Sequence, residues 1–263
     1  MPRLLFIILL AASCQTVEGT GRSQLNFISL KTEMRMGLQA YREVLDDSEI
    51  VTQGPDAEMV NRVGARVAAA AVQLYPKMAN KFRWEFSLIR EDKTINAWAL
   101  PGGKCAVYTG LLPVTADEES LAVVIGHEVA HAIARHGGER MSTSLALMGA
   151  LVGTDLLWDA NDEDKKQNIM MLLGISGTLG TLAFSREHES EADQLGLYLC
   201  ATAGYNPQAA IGLWERMAES GGGSPPEFLS THPSENTRIK RLKTWMPKAR
   251  AMFDAAPKDQ PWL

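Results

Sequence analysis

Residues 127–131 read His-Glu-Val-Ala-His. On an α-helix that spacing leaves the two imidazoles about 40° apart around the axis, one turn apart on one face, where both can hold one metal ion. Glu128 then stands beside the metal. The flanking residues predict the helix. Thr115-Ala116-Asp117-Glu118 has the pattern of a capping box, Leu121, Val124, Ile125 and Ala132 supply an apolar stripe, and Gly137 offers a stop. The pentapeptide is therefore expected mid-helix and buried. By chance such a pattern arises in a chain of this length roughly once in a hundred. The plain alternative is two core histidines in an ordinary amphipathic helix.

A catalytic zinc site needs a third donor, and residues 185–193 read SREHESEAD. Glu189 and Asp193 are four apart and share a helical face, whereas Glu187 and Glu191 point away from Asp193. The spacing suits Glu189 as ligand, with Asp193 accepting from the second ring nitrogen of a liganding histidine. Without the 127–131 motif, the same run reads as a solvated acidic helix start. Two other histidines are set aside. His136, nine residues after His127, falls about 180° around a continuous helix, cannot share the metal and is expected to cap the helix C-terminus. His188 is expected to face away and to be structural.

Taken with INAWALPGGKCAVYTGLL from Ile95 to Leu112 and THPSENTRI from Thr231 to Ile239, these motifs resemble a known family. The chain is similar to the gluzincin metallopeptidases that include HtpX and the CAAX prenyl proteases, most closely to bacterial periplasmic lipoprotein members such as LoiP and BepA. The resemblance covers most of the chain after about residue 26. It implies an α+β fold, mainly helical and zincin-like, with a small β-sheet next to the HExxH helix. It also implies one Zn2+ per chain, with the third ligand at Glu189, in agreement with the helical argument. The repeat domain that BepA-like members carry after the peptidase has no counterpart before Leu263.

Site roles follow. Zinc on His127, His131 and Glu189 leaves a fourth position for water, lowers that water's pKa to about 7, and places Glu128 to take its proton. A developing oxyanion calls for a further donor, and His232 and Arg238 are the candidates. The resemblance puts His232 near the zinc, either contacting substrate or occupying the open position in a latent form; by itself it is a loop histidine after a Gly/Pro-rich turn. The resulting expectation is a zinc endopeptidase acting on unfolded or misassembled envelope proteins. Its rivals are a noncatalytic holdase or assembly factor, against which Glu128 argues, and a latent enzyme awaiting an envelope partner.

Substrate contact is read from alternation. Residues 82–90, 94–100 and 105–109 have strand patterns joined by Pro101-Gly102-Gly103, and an extended peptide would pair with main chain around Asn96, Ala97 and Trp98. The alternative is an ordinary core sheet. Residues 1–13 read as a lipoprotein-type signal: Met1-Pro2-Arg3, an apolar run too short to span a bilayer, and Ala11-Ala12-Ser13-Cys14 as a lipobox. Lipid on Cys14 would anchor the chain to membrane, and Gln15 favours the outer membrane by family custom, so the expected location is periplasmic. Residues 14–25 are expected as a tether, 26–253 as the peptidase domain and 254–263 as a tail.

Composition is compatible with this. Of 263 residues 46% are hydrophobic, and the net charge of -5 leaves no basic footprint for nucleic acid. Cys105 and Cys200 are left either to pair or to remain buried thiols. Helices are expected over 23–45, 56–74 and 207–219 and after Ser234. The apolar segments 145–158 and 169–184, around the charged stretch DANDEDKKQ, read as a buried hairpin over the site or as a membrane contact. The Gly/Pro-rich loop 221–233 delivers His232.

Overall fold

The computed structural model describes residues 14–152, 184–220, 226–232 and 237–257. The signal at 1–13, most of the two apolar segments, residues 221–225 of the loop before His232, residues 233–236 and the last six residues lie outside the described residues. Among the described residues no helix is long and apolar enough to cross a membrane.

The fold is α+β and mainly helical, as expected. Strands β1 (Cys14–Thr16) and β2 (Ser23–Leu25) pair antiparallel with Cys14 opposite Leu25. Residues 14–25 are thus a hairpin and not a loose tether, and it is docked: Val17, Gln24 and Asn26 are buried. Helix α1 (Leu30–Asp46) begins later than the expected Ser23, because Ser29 supplies the cap by accepting from the Thr32 amide at 3.2 Å. Helix α2 (Pro55–Leu74) turns Ala57, Val60, Val63, Val67 and Ala71 into the core at helical spacing. A short helix, α3 (Pro76–Ala79), follows it.

Strands β3 (Ile50–Val51), β4 (Glu85–Ile89), β5 (Ala97–Leu100) and β6 (Lys104–Tyr108) form one sheet in the order β3-β4-β6-β5. β4 and β6 run parallel, and β5 pairs antiparallel with β6 from Ala97↔Val107 to Leu100↔Lys104. The turn between β5 and β6 needs glycine, since Gly102 and Gly103 sit at φ of 95° and 82°. β5 is an edge strand beside the metal-motif helix.

After a 3-10 turn (Thr109–Leu111) and the short α4 (Leu112–Thr115) comes α5 (Glu118–Ile133), which carries His127, Glu128 and His131. Its cap is Asp117, which accepts from the Ser120 amide at 2.7 Å, and not Thr115, whose hydroxyl bonds back to Leu112 within α4. The helix ends at Ala134 and not at Gly137: Arg135 takes a φ of 57°, and α6 (His136–Val152) starts afresh. Arg135 tolerates that conformation because its guanidinium is anchored on the buried Glu33, at 3.1 Å from Nε to Oε2, and on Gln15 and the Ile28 carbonyl.

Helix α7 (Arg186–Thr202), capped by Ser185, presents the acidic run. It crosses α5 where Gly126 faces Gly196. A Cβ on Gly126 would lie 2.8 Å from the Gly196 carbonyl oxygen, and one on Gly196 2.7 Å from the His127 nitrogen. Helices α8 (Ala209–Glu219), α9 (Glu227–Thr231) and α10 (Arg238–Ala255) close the domain. Cys105 and Cys200 are buried, unpaired thiols whose pKa values burial pushes up.

The crossing sets a prediction. Gly196→Ala should destabilise the fold by about 1–3 kcal/mol through overpacking against backbone that cannot yield. Denaturant unfolding measures it, and an unchanged midpoint would show that the two helices can separate freely.

Candidate metal centre

His127 and His131 project from one face of α5 toward Glu189 on α7, and His232, just after α9, completes the group. All four are buried. Nε2 of His127 stands 3.1 Å from Nε2 of His131, 3.3 Å from Nδ1 of His232 and 3.4 Å from Oε2 of Glu189. His131 Nε2 and His232 Nδ1 lie 3.4 and 2.9 Å from Glu189 Oε1. A tetrahedral zinc with ligand bonds near 2.0–2.1 Å has donor–donor edges of about 3.3–3.4 Å. The donor set therefore fits one Zn2+ without rearrangement.

The surroundings hold these donors. Asp193 Oδ1 is 3.0 Å from His127 Nδ1, which keeps Nε2 turned to the metal position. Arg238 donates from Nε to Asp193 at 2.7 Å and from Nη2 to Glu189 at 2.6 Å, and its guanidinium lies 3.9 Å over the Trp214 ring. Two of its nitrogens are engaged in orienting the carboxylates. Its remaining nitrogen, Nη1, is buried and has no hydrogen-bond partner among the described residues. His232 is clamped between Phe184 and Phe228, stacked at 5.2 and 4.7 Å. It joins the donor set instead of standing off to one side.

Glu128 is buried, with Oε1 lacking a hydrogen-bond partner among the described residues and 3.5 Å from His232 Nε2. Burial raises its pKa above the ordinary carboxylate value, against the pull of His232 and His127, and the Ala99 amide also donates to it. Burial disfavours the charged form of His127, but Asp193 and Glu189 outweigh it and hold that pKa up at about 10. For His131 burial wins and the pKa falls well below normal. Glu189 is held well below the carboxylate range despite burial, because the three site histidines surround it.

The proposed substrate strand is at the sheet edge, with Ala97 in the core shared with α5 and Trp98 in a separate core cluster. Trp98 packs edge-on against Tyr41 at 6.0 Å and donates to the Tyr108 hydroxyl. Asn96 Oδ1 accepts from the Ala97 amide. What β5 offers a peptide is main chain; two residues before it, the Ile95 carbonyl accepts from the Phe228 amide at 3.1 Å.

Sequence reasoning missed His136. Because α5 stops at Ala134, the 180° argument has no continuous helix to act on, and His136 does not cap the helix. It is buried with Nδ1 2.9 Å from His131 Nδ1 and Nε2 2.8 Å from Glu191 Oε2. Glu191 points away from Asp193, as expected, and toward this second imidazole. His188 stacks on His136 at 4.4 Å and pairs with Glu139. Phe184, Phe228 and the Gly126–Gly196 contact were equally invisible, since their partners lie far off in sequence.

A histidine pair on one helix, a carboxylate ligand on a second and a buried carboxylate beside them define a zinc metalloendopeptidase domain. The chain belongs to peptidase family M48, which matches residues 56–246. It is 37% identical over 236 residues to the mitochondrial metalloendopeptidase OMA1 of Schizosaccharomyces pombe, covering 88% of this chain and 66% of that protein. The Saccharomyces cerevisiae protein of the same name is 31% identical, covering 89% and 69%. The beta-barrel assembly-enhancing protease of Escherichia coli is 28% identical, covering 95% and 51%. The chain thus spans between half and just over two thirds of the length of these relatives.

The titration pattern has a measurable result. Below about pH 10 the metal-free site carries the His127 proton that zinc has to displace. Zinc affinity should therefore rise roughly tenfold per pH unit from neutrality upward and level off once that proton is gone. Chelator competition at stepped pH checks this; affinity independent of pH between 7 and 9 would contradict it.

Proposed function

We propose that this chain is an endopeptidase hydrolysing peptide bonds in unfolded or misassembled proteins of a bacterial envelope. The observation that carries the catalytic part is Glu128: a buried carboxylate, with one oxygen unpartnered among the described residues, beside a four-donor metal cluster. A protein that only bound peptide would have no use for a base there. Bound zinc supplies the Lewis acidity that acidifies water and polarises a carbonyl oxygen. In this reading His127, His131 and Glu189 hold the metal, while Asp193 and Arg238 fix the donors. Glu128 takes the proton of the attacking water and returns it to the leaving amine. Burial, by raising its pKa, makes Glu128 a stronger base toward that water than an exposed carboxylate.

Substrate would lie along β5, whose main chain recognises extended backbone without demanding particular side chains. The short α9 is held to the segment just before that strand through the Phe228–Ile95 hydrogen bond, and His232 stands as a fourth donor. This supports a closed resting form from which residues 226–232 withdraw when a substrate or envelope partner arrives. The envelope location rests on the lipobox at Ala11–Cys14, with lipid on Cys14 as the outer-membrane anchor. A relative named for enhancing β-barrel assembly is in keeping with envelope substrates.

Cleavage of casein by the zinc-loaded chain beside Glu128→Gln, with zinc content measured in both, tests the reading. Turnover should fall by roughly 10²–10⁴-fold at equal zinc. Equal zinc with no turnover in either would transfer belief to a noncatalytic binding role. In the same assay His232→Ala should raise turnover by opening the fourth position, and unchanged turnover with unchanged zinc affinity would remove His232 from the site.

A further inference from the structure

Behind the metal-facing side of His131 runs a hydrogen-bonded chain that leaves the centre and ends in the β1–β2 hairpin. With Nε2 of His131 turned to the donor cluster, its Nδ1 carries the hydrogen and His136 Nδ1, 2.9 Å away, has to accept it. The His136 hydrogen is thereby fixed on Nε2, where Glu191 Oε2 accepts it at 2.8 Å. Glu191 also accepts from Arg22 Nε at 2.8 Å and from the Thr20 hydroxyl. The other end of the Arg22 guanidinium grips both oxygens of Glu139, at 3.0 and 2.7 Å.

Every link in this chain has one donor and one acceptor once His131 faces a metal. A carboxylate behind a liganding histidine is a common device for fixing ring and tautomer, and its removal is costly for metal affinity. Here a second, fully buried imidazole stands between ligand and carboxylate, and the carboxylate is itself held by residues from the turn of an N-terminal hairpin. Bracing by Arg22 and Thr20 leaves Glu191 one orientation, and that orientation admits one tautomer of His136.

We propose that His136 and Glu191 are positioning residues for the zinc ligand His131, and that Thr20 and Arg22 make the β1–β2 hairpin a structural part of the metal centre. The inference rests on the zinc assignment above. Its consequence is that displacing the hairpin loosens Glu191, releases the His136 tautomer and lets zinc escape, although no hairpin residue touches the metal.

The test uses the full chain. His136→Phe keeps a ring packed against His131, Phe184 and His188 but removes the acceptor. Zinc affinity by chelator competition should weaken roughly 10–100-fold, and the visible d–d bands of the Co2+-loaded protein should shift, with the metal-free melting temperature not lowered. Arg22→Ala should act in the same direction by a smaller factor, and Arg22→Lys should recover part of the loss. Should His136→Phe not fold, the Arg22 pair decides alone. Parent-like zinc affinity and Co2+ bands in Arg22→Ala would overturn the proposal. A loss of affinity that only tracks a loss of metal-free stability would overturn it too. A parent chain that takes up no zinc would fail the zinc assignment itself, and is thus distinguishable from failure of the relay.

Discussion

The close approach of α5 and α7 at Gly126 and Gly196 is the constraint on which the metal centre depends. Backbone meets backbone there, with no room for a Cβ on either side. One residue past Gly126, His127 comes within reach of Asp193 and Glu189, which project from α7 one and two turns before Gly196. A larger separation would leave the carboxylates short of the imidazoles. The sheet contributes the opposite wall, where β5 runs beside α5 and its Ala99 amide donates to Glu128.

Bringing three histidines, two site carboxylates and an arginine into one buried cluster is costly unless each charge has a partner. Arg238 answers Glu189 and Asp193 together, and stacks on Trp214 while doing so. In the metal-free protein the raised pKa of His127 lets a proton partly offset the negative charge; a divalent metal takes over that role and fixes the donors in a single arrangement. Glu128 Oε1 and Arg238 Nη1 are buried without a hydrogen-bond partner among the described residues. An unsatisfied polar atom of this kind is expected where a protein gives up stability for chemistry.

Local spacing made much of this legible. An i, i+4 histidine pair and an i, i+4 Glu–Asp pair each declare a helical face, and in the structure the face with His127 and His131 meets the face with Glu189 and Asp193. Sequence reading went astray where long-range contacts decide. Asp117 displaced Thr115 as the cap because Asp117 Oδ1 reaches the Ser120 amide. Arg135 ended α5 because Glu33, 102 residues away, stabilises its guanidinium, and that break turned His136 from a supposed cap into a partner of His131. Residues 14–25 lack the composition of a strong hairpin; their order comes from Glu191 and Glu139, far along the chain. Arg238 was named for its charge, yet which carboxylates it meets follows from how α10 packs on α7.

X-ray absorption at the zinc edge of the loaded protein tests the central claim most directly. The account predicts a four-coordinate site of nitrogen and oxygen donors at about 2.0–2.1 Å, dominated by imidazole scattering, with Glu189 as the carboxylate. Sulfur scattering near 2.3 Å, which would mean zinc on Cys105 or Cys200, or an unchanged spectrum in Glu189→Gln, would contradict it.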